Sequence, residues 1–269
     1  MWSGFDLNQN VWVAEDENAA LIGYAFLEED SEEKLFSYGC VQPSARGRGV
    51  GAALVTALET RARELRNESG QLKRLQGMIP STCNDAVALF ESLGFAPVRY
   101  FKRMALRLDA EPANAIIPEG FFLEPFVKGR DEQAVYEAYT EAFADHWDFA
   151  MPSLEKFVER TQLPTFDERW WIIARDAGGS VAGFALCRMS DDLLYVEHLG
   201  VRRGYRGRGL ALALLQGAFA SSYHAGQFTV SLGVDAANPT GAYRLYEKAG
   251  MKPEYEISIY EKIFPVPAS

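Results

Sequence analysis

Two short glycine-rich segments carry the residue types that hold an anion. Arg206, Gly207, Arg208, Gly209, Leu210 and Ala211 follow the spacing R-x-x-G-x-G/A, and Arg46, Gly47, Arg48, Gly49, Val50 and Gly51 repeat it. Glycines in such a loop reach positive φ, so backbone N–H groups turn inward and approach a ligand closely. The helix expected next adds unpaired N–H groups and a partial positive charge, which suits a pyrophosphate. One copy would be indistinguishable from a turn that only caps a helix. Two copies, each after a β-rich run and before an amphipathic helix, argue for a phosphate site. No Lys-Ser/Thr follows, as a P-loop needs, and no Gly-x-Gly-x-x-Gly with a later acid, as a dinucleotide fold needs.

The loops belong to a longer internal repeat. Residues 41–51 (VQPSARGRGVG) match 201–211 (VRRGYRGRGLA), and 89–95 (LFESLGF) match 245–251 (LYEKAGM) at a slightly shorter separation. Hydrophobic periodicity predicts strands at 170–175, 181–189 and 193–201, a helix at 210–222, a strand at 228–234, a helix at 240–249 and a strand at 256–264. The first copy predicts the same order at 11–15, 21–27, 35–41, 50–66, 75–79, 86–93 and 99–108. Residues 109–118 (DAEPANAIIP) read as a connector, placing domains at 1–112 and 119–269 with a linker at 113–118. The second copy opens with a further strand at 122–126 and helices at 131–145 and 153–162. The first lacks counterparts, either because that domain is shorter or because its start lies upstream of Met1.

Composition limits the function classes. The 269 residues are 48% hydrophobic and 24% charged, as in an ordinary globular chain. The longest apolar runs fall short of the roughly 20 residues that span a bilayer, and no basic-then-apolar leader opens the chain, so a cytoplasmic protein without a membrane role is expected. The net charge of −10 disfavours nucleic acid and anionic membranes as partners. Cys40, Cys83 and Cys187 form no CxxC pair and three histidines are widely spaced, so no metal is expected and each cysteine reads as a small buried hydrophobe.

The ordered set of strand, glycine loop, helix, strand and the segment 238–251 (NPTGAYRLYEKAGM) resembles the GNAT N-acetyltransferase superfamily. The tandem arrangement resembles mycothiol synthase-like double-GNAT enzymes. The resemblance implies an α/β fold of two tandem domains, each a mixed, mostly antiparallel twisted sheet flanked by helices, the first truncated at its start. It implies acetyl-CoA as acyl donor, held by Leu199, Gly200 and Val201, by Arg206 to Ala211, and by Asn238 and Tyr243. Val41, Arg46, Gly47, Gly49 and Gly51 are the corresponding residues of the first copy.

Acetyl transfer from a thioester to an amine needs stabilisation of a developing oxyanion, and an acid for the departing thiolate. The resemblance points to Tyr246 for the acid. The first copy has Phe90 there, with no proton to give. Glu197 is the candidate base, with an ion-paired surface glutamate as the alternative. A period of two along 193–201 puts Tyr195, Glu197, Leu199 and Val201 on one face and His198 on the other. Residues 141–149 (EAFADHWDF) form either an acceptor pocket, with His146, Trp147 and Phe149 joined by Tyr195, or an aromatic hinge. Trp170 and Trp171 are adjacent, so at most one lines a cleft if both lie in a strand. The expected activity is acetyl-CoA-dependent N-acetylation of a primary amine on a small molecule or peptide, catalysed by the carboxyl-terminal domain of a monomer or homodimer. A non-catalytic acyl-CoA sensor is the alternative, which Tyr246 disfavours.

Overall fold

A computed structural model describes residues 6–66, 70–149, 151–238 and 241–264. The chain divides into two compact units, Met1–Phe101 with Tyr255–Ser269, and Lys102–Glu254.

The first unit holds a short helix α1 (Leu7–Asn10), strands β1 (Val11–Glu15), β2 (Leu21–Glu29) and β3 (Lys34–Val41), helix α2 (Val50–Glu64), β4 (Arg74–Pro80) and α3 (Asn84–Ser92). Strand β5 (Ala96–Arg107) begins in this unit and ends in the other. The sheet order is β1-β2-β3-β4, then β11 (Lys252–Lys262), whose residues 257–262 run antiparallel to β4. Leu27, Leu35 and Leu75 face Leu54 and Leu58 of α2 in one core, which Tyr260 and Phe264 complete from the far end of the chain. Met104 and Leu108, by contrast, are buried in the core of the second unit.

The second unit adds β6 (Phe121–Pro125), α4 (Glu132–Phe143), α5 (Leu154–Arg160), β7 (Trp171–Asp176), β8 (Val181–Ser190), β9 (Leu193–Val201), α6 (Leu210–His224), β10 (Thr229–Asp235) and α7 (Ala242–Lys248). The sheet order is β5-β10-β9-β8-β7-β6. Strands β6 to β9 pair antiparallel, and β9 pairs parallel with β10. In α4 the buried residues Val135, Ala138, Tyr139 and Phe143 recur at helical spacing and make the stripe that packs on β8 and β9. Ser153 starts α5 by accepting a bond from the Lys156 N–H at 3.3 Å. Before β1, the described residues of the first unit contain α1 and no counterparts of β6, α4 and α5.

Two local expectations are corrected. Trp170 sits in a 3-10 turn ahead of β7 rather than in the strand, and both it and Trp171 are buried. The Trp171 ring packs among Phe126, Phe157 and Phe166. Cys40 and Cys83 are exposed, and only Cys187 is buried. Thr240, expected to open α7, lies outside the described residues.

His198 on β9 packs beneath the aromatic stripe of α4. Its Nε2 lies 3.1 Å from the Tyr139 hydroxyl, and the rings of Tyr139 and Phe143 pack against it at 4.9 and 5.3 Å. Burial pushes its pKa down to about 3, with Arg160 and His146 acting in the same direction. The folded protein therefore keeps this imidazole neutral, while the unfolded chain takes up a proton below about pH 6.5. The stabilisation is present above that value and is lost as pH falls toward 3, by several kcal/mol in all. Urea unfolding at stepped pH should show this slope, and His198→Gln should flatten it whatever its effect on stability at neutral pH. An unchanged slope would assign the acid sensitivity elsewhere.

Candidate active site

The two glycine loops have nearly the same backbone. Each follows a 3-10 turn, Pro43–Ala45 or Arg203–Tyr205, and each places two glycines in the left-handed region: Gly47 and Gly49 at φ 70° and 83°, Gly207 and Gly209 at 76° and 90°. Gly49 and Gly209 cap α2 and α6, and neither helix start receives a side-chain hydrogen bond. A Cβ on Gly207 would meet nothing within 4 Å, and one on Gly209 only Pro118 Cγ at 3.7 Å. Backbone conformation, not crowding, requires glycine there, and the space before the helix N–H groups stays open. The arginines brace the loop from behind. Arg206 Nε donates to the Val201 carbonyl at 3.1 Å and Arg208 to that of Gly204 at 3.2 Å. Gly51 serves packing, since a Cβ there would approach Leu89 Cδ2 to 3.1 Å.

Beside the loop the sheet opens. Parallel pairing joins Leu194–Val196 of β9 to Val230–Leu232 of β10 and stops, although β9 runs on to Val201 and β10 to Asp235. Leu199, Gly200 and Val201 keep their ladder to β8 on one edge and are unpaired toward β10 on the other. Gly200 allows this close layering, because a Cβ would lie 2.4 Å from Phe184 Cζ. The first unit opens likewise: β3 pairs with β4 through Ser37 and Gly77, while β3 continues to Val41. Asn238 and Tyr243 follow β10. The Asn238 N–H donates to the Asp235 carbonyl at 3.0 Å, and Lys102 Nζ lies 4.7 Å from the Tyr243 ring centre.

The facing of β9 differs from a period of two. Leu186 of β8 opposes His198 and Cys187 opposes Val196, so Glu197 is an extra residue, a β-bulge. Alternation restarts after it. Tyr195, Glu197 and His198 consequently share the face covered by α4 and α5, while Val201 turns with Leu214 of α6 toward Gly183 on the other face. On the α4 and α5 face, Arg188 donates to Glu197 Oε1 at 2.6 Å and Arg160 to Oε2 at 2.7 Å. Glu197 is thus ion-paired on both oxygens. Arg103 and Arg188 both lie over the Tyr195 ring, their guanidinium carbons 4.4 and 5.2 Å from its centre. Arg103 also donates to Ser231 Oγ at 2.7 Å, directly across the ladder from Tyr195. The Tyr195 hydroxyl overlies Gly233, just past the last paired residue of β10, at 3.3 Å from where a Cβ would sit.

Tyr246 of α7 is buried, and burial with the nearby Tyr195 pushes its phenol up to about 12. Both differences from the first unit concern this place. The ladder from β2 to β3 pairs Phe26 with Tyr38 and Leu27 with Ser37, leaving no residue over. Phe90 replaces the phenol there, its ring 2.7 Å from the position of a Gly77 Cβ and 4.6 Å from the Phe95 ring.

Segment 141–149 is anchored by ion pairs and by ring packing. Glu141 takes Arg202 at 2.6 Å and the Arg203 N–H at 2.8 Å, and Asp145 pairs with Arg203 at 2.7 Å, tying the segment to the approach of the glycine loop. Phe149 packs on Tyr139 and Phe143 at 5.4 and 5.5 Å, and His146 on Phe143 at 4.7 Å. Trp147 is half-buried in the same turn. The sequence reading missed Arg103, Arg160, Arg188 and Ser231. They stand in no motif, and only the strand register and the end of α5 bring them to Tyr195 and Glu197. Among the described residues no three acidic, histidine or cysteine side chains gather as a metal site, and no helix is long and apolar enough to cross a membrane.

Comparison with known proteins follows the two units. A model described as Acetyltransferase (GNAT) family matches residues 132–251, and one described as Acetyltransferase (GNAT) domain matches residues 8–97. A mycothiol acetyltransferase of Streptomyces scabiei is 34% identical over 86% of this chain and 72% of its own length. A solved GCN5-related N-acetyltransferase from Sphaerobacter thermophilus superposes with TM-score 0.83 at 34% identity, covering 97% of this chain and 82% of that one. A tandem GNAT protein from the clavulanic acid biosynthesis pathway shares the fold at TM-score 0.72 and 16% identity, over 94% of this chain and 82% of that one. The chain belongs to the GNAT acetyltransferase family and carries two of its domains in tandem.

Proposed function

We propose that the carboxyl-terminal domain transfers an acetyl group from acetyl-CoA to the primary amine of a small molecule, and that the amino-terminal domain contributes no turnover. GNAT enzymes use acetyl-CoA as acyl donor, and the residues of the second unit fit it. The open N–H groups from Gly207 to Ala211 suit a pyrophosphate, and the unpaired edge of β9 suits the amides of a pantetheine arm. The observation that carries the assignment is the pair of differences at one place: the bulge at Glu197 with Tyr246, against an unbroken ladder with Phe90. That relatives are called mycothiol acetyltransferases supports a small-molecule acceptor.

The residues then have separable tasks. The bulge frees backbone polar groups from the ladder, and an N–H held there without reorganisation stabilises charge developing on the carbonyl oxygen. Tyr246, kept protonated by burial, gives its proton to the departing sulfur. Each Glu197 oxygen retains a lone pair beside its arginine, so it accepts the proton shed by the amine through a water rather than directly. The sensor alternative leaves this phenol without a use.

Gly209→Asp puts a negative side chain into the anion's place and should abolish acetyl-CoA binding by the carboxyl-terminal domain. Calorimetry in a Gly49→Asp background reads this directly, and unchanged affinity would refute the loop assignment. Gly49→Asp alone should leave kcat within about threefold. Tyr246→Phe should lower kcat by roughly 10²–10⁴-fold with acetyl-CoA affinity nearly unchanged. A kcat within about threefold of the parent would remove the acid role.

A further inference from the structure

The face that approaches the reacting centre is cationic in a chain whose net charge is −10. Arg160 and Arg188 pair with Glu197, the one carboxylate either touches among the described residues, and Arg103 and Arg188 lie against Tyr195. Arg188 spends only its Nε on Glu197, so its terminal nitrogens have no acceptor there, and its side chain is 49% exposed. Arg103 spends one terminal nitrogen on the Ser231 hydroxyl and has no acidic partner among the described residues. Cation–π contact with the Tyr195 ring holds both guanidiniums without consuming their remaining N–H donors. Of the other acids near this face, Glu141 and Asp145 pair with Arg202 and Arg203, and Asp235, two residues past Gly233 on β10, accepts the Ala237 N–H at 3.0 Å.

The arginines themselves repel the ammonium form of an amine and offer it no hydrogen bond, since a guanidinium has no acceptor. Two half-fixed guanidinium forks with spare donors match a planar or tetrahedral oxyanion. Building on the transfer reading above, we propose that the acceptor carries an oxyanion, a carboxylate or a phosphate, besides its amine, and that Arg188 and Arg103 hold that group beside Tyr195. The anion's hold directs the amine toward the opening past Gly233, where the Tyr195 hydroxyl lies. The excess positive charge also favours the neutral form of the incoming amine, the form that attacks. Arg103 and Arg188 are thereby specificity-determining residues.

The test is thiol release from acetyl-CoA by the full chain with matched acceptors: ω-amino acids, aminoalkyl phosphates, and the corresponding ω-amino amides and amino alcohols. The expected result is a kcat/KM at least about tenfold higher for one oxyanion class than for its neutral counterpart, expressed in KM. Which class leads identifies the oxyanion. Arg188→Gln should shrink that ratio at least about tenfold, and Arg188→Lys should restore part of it, while Arg103→Lys reports on the second fork. Neutral acceptors used as well as or better than charged ones would overturn the proposal while leaving the transfer reading intact. If no amine in the panel is acetylated, the transfer reading fails. Calorimetry then still decides this proposal, because equal binding of ω-amino acids and their amides would overturn it.

Discussion

Strands β9 and β10 part company after Val196 and Leu232, and the rest of the site depends on that separation. A parallel ladder carried to the ends of both strands would bond every backbone group between Glu197 and Val201 to protein. Its early end leaves one edge of β9 with donors and acceptors to offer, at the place where the α6 N-terminus also presents open N–H groups. Such polar backbone is stable only where water or a ligand satisfies it, which suits the opening to the pantetheine amides proposed for it. Gly200 lets β9 sit this close to Phe184 and α4, and Arg206 ties the strand's last carbonyl to the glycine loop.

Under the proposed assignment, the two units would separate binding from chemistry by local changes at one place. Both keep the left-handed glycines, the uncapped helix and the parted strands. At the parting of the strands they differ in one inserted residue and in one hydroxyl, and among its described residues the first unit also has no counterparts of β6, α4 and α5. The insertion matters out of proportion to its size. By restarting the alternation it brings Tyr195 and Glu197 onto the face of α4 and α5, within reach of arginines from β5, β8 and α5. Where the ladder stays regular, Phe90 fills the corresponding space against Gly77.

Much of this was legible in the residues. The repeat, the glycine loops, the order of strands and helices, and the contrast between Tyr246 and Phe90 all rest on local spacing, which a sequence displays. What local spacing hides is register. A bulge has no composition signal at Glu197, so a strict period of two misplaced Leu199 and Val201 relative to Tyr195. The arginine cluster is assembled from three elements, β5, β8 and α5, and is invisible before they are packed together. The last strand was equally opaque: Tyr260 and Phe264 look like the end of the second repeat, yet they fill the core built by α2 and β4. Strand propensity fixes that a segment pairs, and long-range packing chooses its neighbour.

The central claim is that the bulge and Tyr246 make the second unit the reacting one. A crystal structure of the full chain with a non-hydrolysable acetyl-CoA analogue tests it most directly. The account predicts the pyrophosphate on the amides of Gly207 to Ala211, the acyl oxygen within hydrogen-bond distance of a backbone N–H at the bulge, and the Tyr246 hydroxyl against the sulfur-equivalent atom. An analogue bound only at Gly47 to Gly51, or one whose acyl end lies away from Glu197 and Tyr246, would contradict it.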